Sequence, residues 1–191
     1  LTGMAHGTAG IVLALSRLAR ATGEARFHAA ADEAAAHEDA RYDDAAANWP
    51  DLRWDPATFA DGWCHGGPGI ALARMDAPAD VRWRVDAERG VAVARRAAMG
   101  RLDHLCCGNL GRALCLAEGG RGLGMAGAEA AGVALASAVV ERARRDGGYG
   151  LWRRYDGFLA FPGLFQGLAG VGYALLRLAA PRAVPNVLTL E

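Results

Sequence analysis

The chain alternates between apolar stretches and more polar stretches of helical length. Apolar residues fill most positions from 7 to 21, as expected of a helix that is buried on most sides. Residues 24–42 are rich in alanine with charged residues interspersed, which predicts a helix with one face in solvent. Thr22 and Gly23 lie between them, and glycine suits the left-handed position that ends a helix. The pattern predicts a helical hairpin, with the buried helix first.

A short motif precedes each strongly apolar stretch. It consists of two variable residues followed by Gly-x-x-Gly and a helix-like segment. It occurs four times, at Met4–Ile11, Trp63–Ile70, Leu105–Arg112 and Leu164–Val171. A self-similar unit of this kind indicates a repeat architecture in which the variable residues share one rim.

The later units predict the same pairing of an inner with an outer helix. The predicted segments are 69–75, 78–99, the third motif to about 117, 125–145, and the fourth motif to about 180. We expect Gly119–Gly124 to end the third inner helix, and residues 181–191 to form a tail. No segment shows the alternation of a strand. The predicted fold class is therefore all-α, a stack of hairpins with every Gly-x-x-Gly turn at one end.

Residues 43–62 interrupt this pattern. Pro50 and Pro56 exclude a regular helix there, because each restricts the residue before it. Long loops in compact domains are often functional, so Trp49 and Trp54 suggest a lid or groove wall. The alternative is that the two rings simply pack the loop onto the core.

Composition narrows the class of protein. The 191 residues are 52% hydrophobic and carry no formal net charge, which disfavours a nucleic-acid partner held by bulk charge. No stretch approaches the roughly 18 apolar residues of a membrane span.

No secretory signal is present, so we expect reduced thiols and a cytoplasmic protein. Because Leu1 stands almost directly before the first motif, we also expect a piece of a longer chain.

Three of the four cysteines occupy variable positions of the motif. Cys64 takes the first position in the second unit, and Cys106 and Cys107 take both positions in the third. If the units are neighbours, the three sulfurs converge, and such a group of thiolates suits zinc. The candidates for a fourth ligand are His65, His104 and Cys115. Cys115 lies about two helical turns beyond Cys107, which is too deep to join. The alternative is that the cysteines are small buried hydrophobic residues.

Two histidines share the second variable position. His6 and His65 are candidates for a general acid or base beside the metal, or for donors that orient the substrate. The alternative is that they cap the ends of inner helices or hydrogen-bond loop carbonyls. His104 lies near the cysteines but off the repeat position, and at most it supports the ligands. Asp61 and Asp103 are also near the rim. They could orient a histidine or bind a peptide amide, but carboxylates on surface loops are the commoner case.

These motifs together resemble the lanthionine synthetase C-like (LanC-like) cyclases. The resemblance rests on His6–Ile11, Trp63–Ile70, Leu105–Asn109 and Pro162–Gly170. The Cys106-Cys107 pair and the ending Pro185–Glu191 are most similar to the C-terminal cyclase region of the class II bifunctional lanthipeptide synthetases. The family fold is an α/α toroid of helical hairpins. The resemblance implies that residues 1–191 are part of a single cyclase domain, about the C-terminal half of the toroid.

The resemblance also implies a site and a reaction. Cys64, Cys106 and Cys107 would be zinc ligands, His6 the acid or base, and His65 would stand where single-function relatives often have tyrosine. The implied reaction adds a peptide cysteine thiol to dehydroalanine or dehydrobutyrine, forming a thioether (lanthionine) ring. The implied partners are a dehydrated precursor peptide and a dehydratase domain that precedes this region. The family's catalytic aspartate belongs to an earlier hairpin than those present here.

Three other functions compete with this one. A LanC-like protein can instead add glutathione to dehydrated residues. A helical repeat module could use a structural zinc and bind a peptide on its rim without catalysis. A toroidal glycosidase would need paired carboxylates facing a cleft, and this rim carries thiols instead.

Overall fold

The computed structural model describes residues 1–76, 81–152 and 161–191. Within these ranges the protein is all-α, as predicted, and only isolated bridges resemble strand pairing. The helices are α1 (Thr8–Thr22), α2 (Ala25–Asp39), α3 (Gly67–Arg74), α4 (Val81–Arg96), α5 (Asn109–Leu123), α6 (Ala128–Asp146) and α7 (Leu168–Ala179). The predicted start of α4 at Pro78 lies outside the described residues.

The helices form two layers. The inner helices α1, α3, α5 and α7 pack against one another in chain order, and α2, α4 and α6 each pack on the inner helix that precedes them. All eight residues of α3 are buried, whereas α2 buries only Ala31, Ala35 and Glu38. The predicted order of an inner helix followed by an outer helix is confirmed.

The second glycine of each motif makes the turns compact. A Cβ atom at Gly10, Gly69, Gly111 or Gly170 would overlap the carbonyl oxygen of the residue six positions earlier. Only glycine lets the backbone approach itself this closely. The repeated Gly-x-x-Gly spacing therefore reflects a folded-back turn at the start of each inner helix.

Helix α5 is longer than predicted. Gly119 and Gly120 do not end it, and the helix continues to Leu123. A Cβ at Gly119 would meet Val91 Cγ2 at 2.6 Å, and one at Gly120 would meet the Glu129 nitrogen at 2.5 Å. These glycines are points at which the outer helices α4 and α6 contact α5. The packing there offsets the low helix propensity of glycine.

The C-terminal segment 181–191 lacks a helix, but it is not a free tail. Leu188 is fully buried, and its carbonyl accepts a hydrogen bond of 2.9 Å from Trp63 Nε1. Tyr173 donates a hydrogen bond of 2.8 Å to the Pro185 carbonyl, and Arg17 donates to the Thr189 carbonyl. The segment therefore ties α7 to α1 and to the second turn.

None of the helices in the described part of the chain is both long enough and apolar enough to cross a bilayer.

Candidate metal centre

A row of backbone hydrogen bonds joins the four motif turns at one end of the helices. The Ala5 N–H donates to the Cys64 carbonyl at 3.2 Å, and the Cys64 N–H donates to the Cys106 carbonyl at 3.1 Å. The Cys106 N–H then donates to the Phe165 carbonyl at 2.9 Å. All four residues hold the first variable position of their unit. The repeat therefore places the variable residues side by side on one rim, as predicted.

Three cysteine sulfurs meet on this rim. The Sγ atoms of Cys64 and Cys107 are 3.0 Å apart, and those of Cys107 and Cys106 are 3.3 Å apart. All three sulfurs lie within 4.8 Å of one another. Cys64 is buried, Cys106 is partly buried and Cys107 is exposed, so the cluster opens towards solvent on one side. The predicted convergence is confirmed.

The spacing of this cluster fits a zinc ion. Three sulfurs at about 2.3 Å from a tetrahedral zinc stand about 3.8 Å from one another. The observed spacings need only a small spreading of the thiols to reach that value. Soft sulfur donors favour zinc over magnesium or calcium. The three cysteines can therefore hold a metal ion, and their chemistry favours zinc.

The candidates for a fourth ligand do not join the cluster. Among the described histidine, cysteine, aspartate and glutamate side chains, only Cys64, Cys106 and Cys107 form this group. Cys115 is fully buried within α5, as its spacing predicted. The described residues thus provide three thiolates, a number typical of zinc sites that keep a position for substrate.

Hydrogen bonds between the sulfurs separate the acidities of the three thiols. Those from Cys106 and Cys64 lower the pKa of Cys107 to about 3. The corresponding interaction with Cys107 raises the pKa of Cys106 to about 11. The pKa of Cys64 is also raised, first through its contact with Cys106. A divalent cation that binds the cluster would displace the protons that remain on the thiols.

The two histidines of the motif stack on each other. The ring centroids of His6 and His65 are 5.2 Å apart, with an angle of 17° between the ring planes. His6 is exposed, whereas His65 is 2% exposed. Burial lowers the pKa of His65, which favours a neutral ring. The second variable positions of the first two units are therefore adjacent in space, next to Cys64.

Asp51 is a site residue that the sequence analysis missed. Its Oδ1 atom lies 3.9 Å from His65 Nδ1, and both side chains are buried. The other ring nitrogen, His65 Nε2, has no hydrogen-bond partner among the described residues. Asp51 lies in the irregular loop 43–62, and no repeated spacing marks it. Only its position in the loop before Cys64 could have suggested it.

Arg53 shares this site. Its guanidinium makes bonds of 2.6 Å and 2.9 Å to the Asp51 carboxylate and holds the pKa of that carboxyl below its usual range. The same bond raises the pKa of Arg53, with smaller contributions from Cys64 and Cys107. The half-exposed Arg53 side chain therefore places a positive charge within reach of the cysteine cluster.

His104 supports the cluster from beneath. Its Nδ1 atom accepts a hydrogen bond of 3.3 Å from the Cys107 N–H, and its side chain is fully buried. Because Nδ1 acts as an acceptor, the neutral ring carries its proton on Nε2. His104 thus holds the backbone of Cys107, and it is not part of the group of possible metal ligands.

The two rim aspartates each pair with an arginine. Asp103 is buried rather than on the surface, and it accepts a hydrogen bond of 2.7 Å from the Gly150 N–H while pairing with Arg142. Asp61 pairs with Arg112 at 3.0 Å. These contacts stabilise the rim loops, and the partners identified for both carboxylates are not histidines.

The two tryptophans of the loop 43–62 have different environments. Trp49 is fully buried, and its Nε1 donates a hydrogen bond of 3.0 Å to the Glu38 carbonyl. Trp54 is 62% exposed. Trp49 therefore packs the loop onto the core, and only Trp54 remains available as part of a groove wall.

Together these features define an all-helical repeat protein with a candidate three-thiolate metal centre. The sequence model of the family described as "Lanthionine synthetase C-like protein" matches residues 1–189. The chain therefore belongs to the lanthionine synthetase C-like family, which suggests a cyclase-type function. A search of the curated proteins finds no match to this chain.

Proposed function

We propose that the protein is a zinc-dependent lanthipeptide cyclase. It joins a cysteine thiol of a dehydrated peptide to a dehydroalanine or dehydrobutyrine of the same peptide. The observation that carries the proposal is the cluster of three cysteine sulfurs within 4.8 Å, on the same rim as two stacked histidines. Membership in the LanC-like family supports it.

The proposed metal ligands are Cys64, Cys106 and Cys107. A zinc ion held by them would supply a Lewis acid that lowers the pKa of the peptide thiol. The three thiolates surround the site with negative charge, so a substrate thiolate beside them stays electron-rich and nucleophilic. The missing fourth protein ligand among the described residues favours this role over a structural zinc.

His6 is the proposed general acid. Attack of the thiolate forms a C–S bond at the β-carbon of the dehydrated residue and breaks the C=C π bond. The electron pair moves towards the α-carbon, which then needs a proton. The side chain of His6 is exposed, so a peptide bound at the rim could reach it. The thiol proton lost and the α-proton gained balance, so product and substrate have the same mass.

His65 and Asp51 are proposed to orient the acid. The ring of His6 stacks on the face of the His65 ring. The Asp51 carboxylate lies near Nδ1 at the edge of the His65 ring. A neutral buried His65 avoids repulsion of a protonated His6. The site then contributes mainly by holding the peptide thiolate next to the dehydrated residue that it attacks.

The domain context, the substrate and the location of the reaction are proposed from the resemblance to the LanC-like cyclases. Residues 1–191 would be part of a single LanC-like cyclase domain, preceded in the parent protein by a dehydratase domain. The substrate would be a dehydrated precursor peptide, and the reaction would take place in the cytoplasm. Exposed aromatic side chains on the loop 43–62, Trp54 and Phe59, would contact that peptide.

Ring formation tests the proposal directly. The parent protein is loaded with zinc and incubated with a dehydrated peptide, and free thiols are then alkylated and counted by mass spectrometry. We expect alkylation to disappear while the unalkylated mass stays constant, and we expect chelation to stop this until zinc returns. Thiols that remain alkylatable at the same rate with and without the protein would contradict it. A mass gain only when glutathione is present would instead favour glutathione addition.

A further inference from the structure

Glu38 is a buried charged residue for which the reaction scheme has no role. It lies near the end of α2 and is fully buried. Its Oε1 atom accepts hydrogen bonds from the backbone N–H groups of Gly3 at 2.9 Å and of Ala9 at 3.1 Å. These two residues stand three positions before and three positions after His6. One carboxylate oxygen therefore closes the turn that carries the proposed acid.

The other oxygen of Glu38 connects this turn to the second unit. Glu38 Oε2 pairs with Arg74 Nη2 at 2.8 Å, and both side chains are fully inaccessible to solvent. Arg74 is the last residue of α3, the helix that starts directly after the Cys64-His65 turn. Burial raises the pKa of Glu38, and the Arg74 charge opposes that rise. The ion pair thus joins the first outer helix to the inner helix behind the metal centre.

The turn that carries His6 is also held by the turn that carries Cys64 and His65. Ala5 donates its N–H to the Cys64 carbonyl at 3.2 Å. Gly3 has a φ of 93°, and a Cβ there would meet the Cys64 oxygen at 2.6 Å. The exposed His6 ring takes its place from this backbone and from its stacking on His65. The contacts of this turn with Glu38 and with Cys64 therefore define the position of His6.

The ion pair with Arg74 does not by itself explain why a carboxylate stands at this position. A buried ion pair contributes little net stability, because the cost of removing both charges from water offsets their attraction. An apolar pair of similar size would fill the same space, yet it would leave the Gly3 and Ala9 N–H groups without acceptors. What the carboxylate specifically provides is the acceptor for these two N–H groups, and through them it fixes the position of the turn.

We propose that Glu38 is a positioning residue, which holds the His6 turn at a fixed distance from the three-cysteine centre through Gly3 and Ala9. The inference rests on the proposed role of His6 as the acid of ring formation. Glu38 itself touches no substrate and acts only through the backbone of the turn.

Two matched double variants of the full chain separate positioning from packing. Glu38→Gln with Arg74→Met removes the ion pair but keeps an oxygen that can accept from Gly3 and Ala9. Glu38→Met with Arg74→Met has a similar volume and offers no acceptor. We expect ring formation by the glutamine variant to stay within about threefold of wild type, and the methionine variant to lose about tenfold or more in kcat. KM for the peptide and zinc content should be unchanged.

A control variant accounts for any general loss of stability. Glu118→Gln breaks another largely buried ion pair, with Arg177 at 2.8 Å, which joins α5 to α7. We expect it to lower Tm without slowing ring formation. Equal kcat values for the two double variants would overturn the proposal. A loss of kcat that only parallels the loss of Tm across all three variants would overturn it as well.

Amide hydrogen exchange in the wild-type protein decides the matter independently of catalysis. The Gly3 and Ala9 amides are expected to exchange slowly and to become fast in any folded variant that lacks the acceptor. Fast exchange in the wild type would overturn the inference even if the methionine variant does not fold. Slow exchange in a wild-type protein that forms no rings would instead contradict the proposed function alone.

Discussion

Replacing Cys106 with alanine is expected to abolish zinc binding and ring formation together. Cys106 provides one of the three sulfurs, and without it two of the four positions of a tetrahedral zinc would lack a protein ligand from the cluster. Changes to groups that merely support metal ligands cost about 10- to 100-fold in metal affinity or activity, so the loss of a ligand should cost more. Zinc content per chain and the rate of thiol disappearance from a dehydrated peptide measure both effects.

Cys115→Ala is the matched control for this variant. Cys115 lies fully buried in α5 and is not part of the cluster. Its replacement should leave the zinc content of one ion per chain and the rate of ring formation as in the wild type. Full zinc occupancy in Cys106→Ala would remove Cys106 from the ligand set.

Replacing His6 with asparagine is expected to have the second largest effect, and it should affect chemistry without affecting the metal. Asparagine is similar in size and polarity, but it cannot donate a proton to a carbon as an acid. General acid–base groups contribute about 10²- to 10⁴-fold to rate. We expect kcat for ring formation to fall within that range while zinc content and the KM for the peptide stay unchanged.

His28→Asn controls for the loss of a histidine as such. Its side chain is 67% exposed on α2 and pairs only loosely with Asp32 at 3.7 Å, so its replacement should leave ring formation unchanged. If His6→Asn forms rings at the wild-type rate, His6 has no part in the reaction, and the positioning role of Glu38 loses its purpose.

The part of the site that depends on the repeat could be predicted from the sequence. Each motif turn needs a glycine that packs against the carbonyl six residues earlier, and this need leaves a fixed spacing in the sequence. Because equivalent positions of stacked repeats become neighbours, the convergence of Cys64, Cys106 and Cys107 followed from their places in the motif. The adjacency of His6 and His65 followed in the same way.

The residues that hold the site in place could not be predicted, since they depend on contacts between distant segments. Asp51 lies in an irregular loop, and only the folded chain brings it to His65. Glu38 lies on a helix that looks polar and solvated in sequence, yet its end is buried against the His6 turn.

The low helix propensity of glycine alone predicted the wrong end for helix α5. Gly119 and Gly120 resemble a helix terminator when only neighbours in sequence are considered. In the fold they are points where α4 and α6 approach α5 closely, through Val91 and Glu129. Tertiary packing outweighs a propensity cost of about 1 kcal/mol per glycine, so the helix continues past them.

X-ray absorption at the zinc edge tests the proposed metal centre most directly. For the zinc-loaded protein we expect three sulfur ligands at about 2.3 Å with one lighter atom in the remaining position. Addition of a cysteine-containing dehydrated peptide should convert this to four sulfur ligands, since the peptide thiol takes the open position. A spectrum with fewer than three sulfurs, or with four protein ligands that do not change when the peptide is added, would contradict a catalytic three-thiolate zinc.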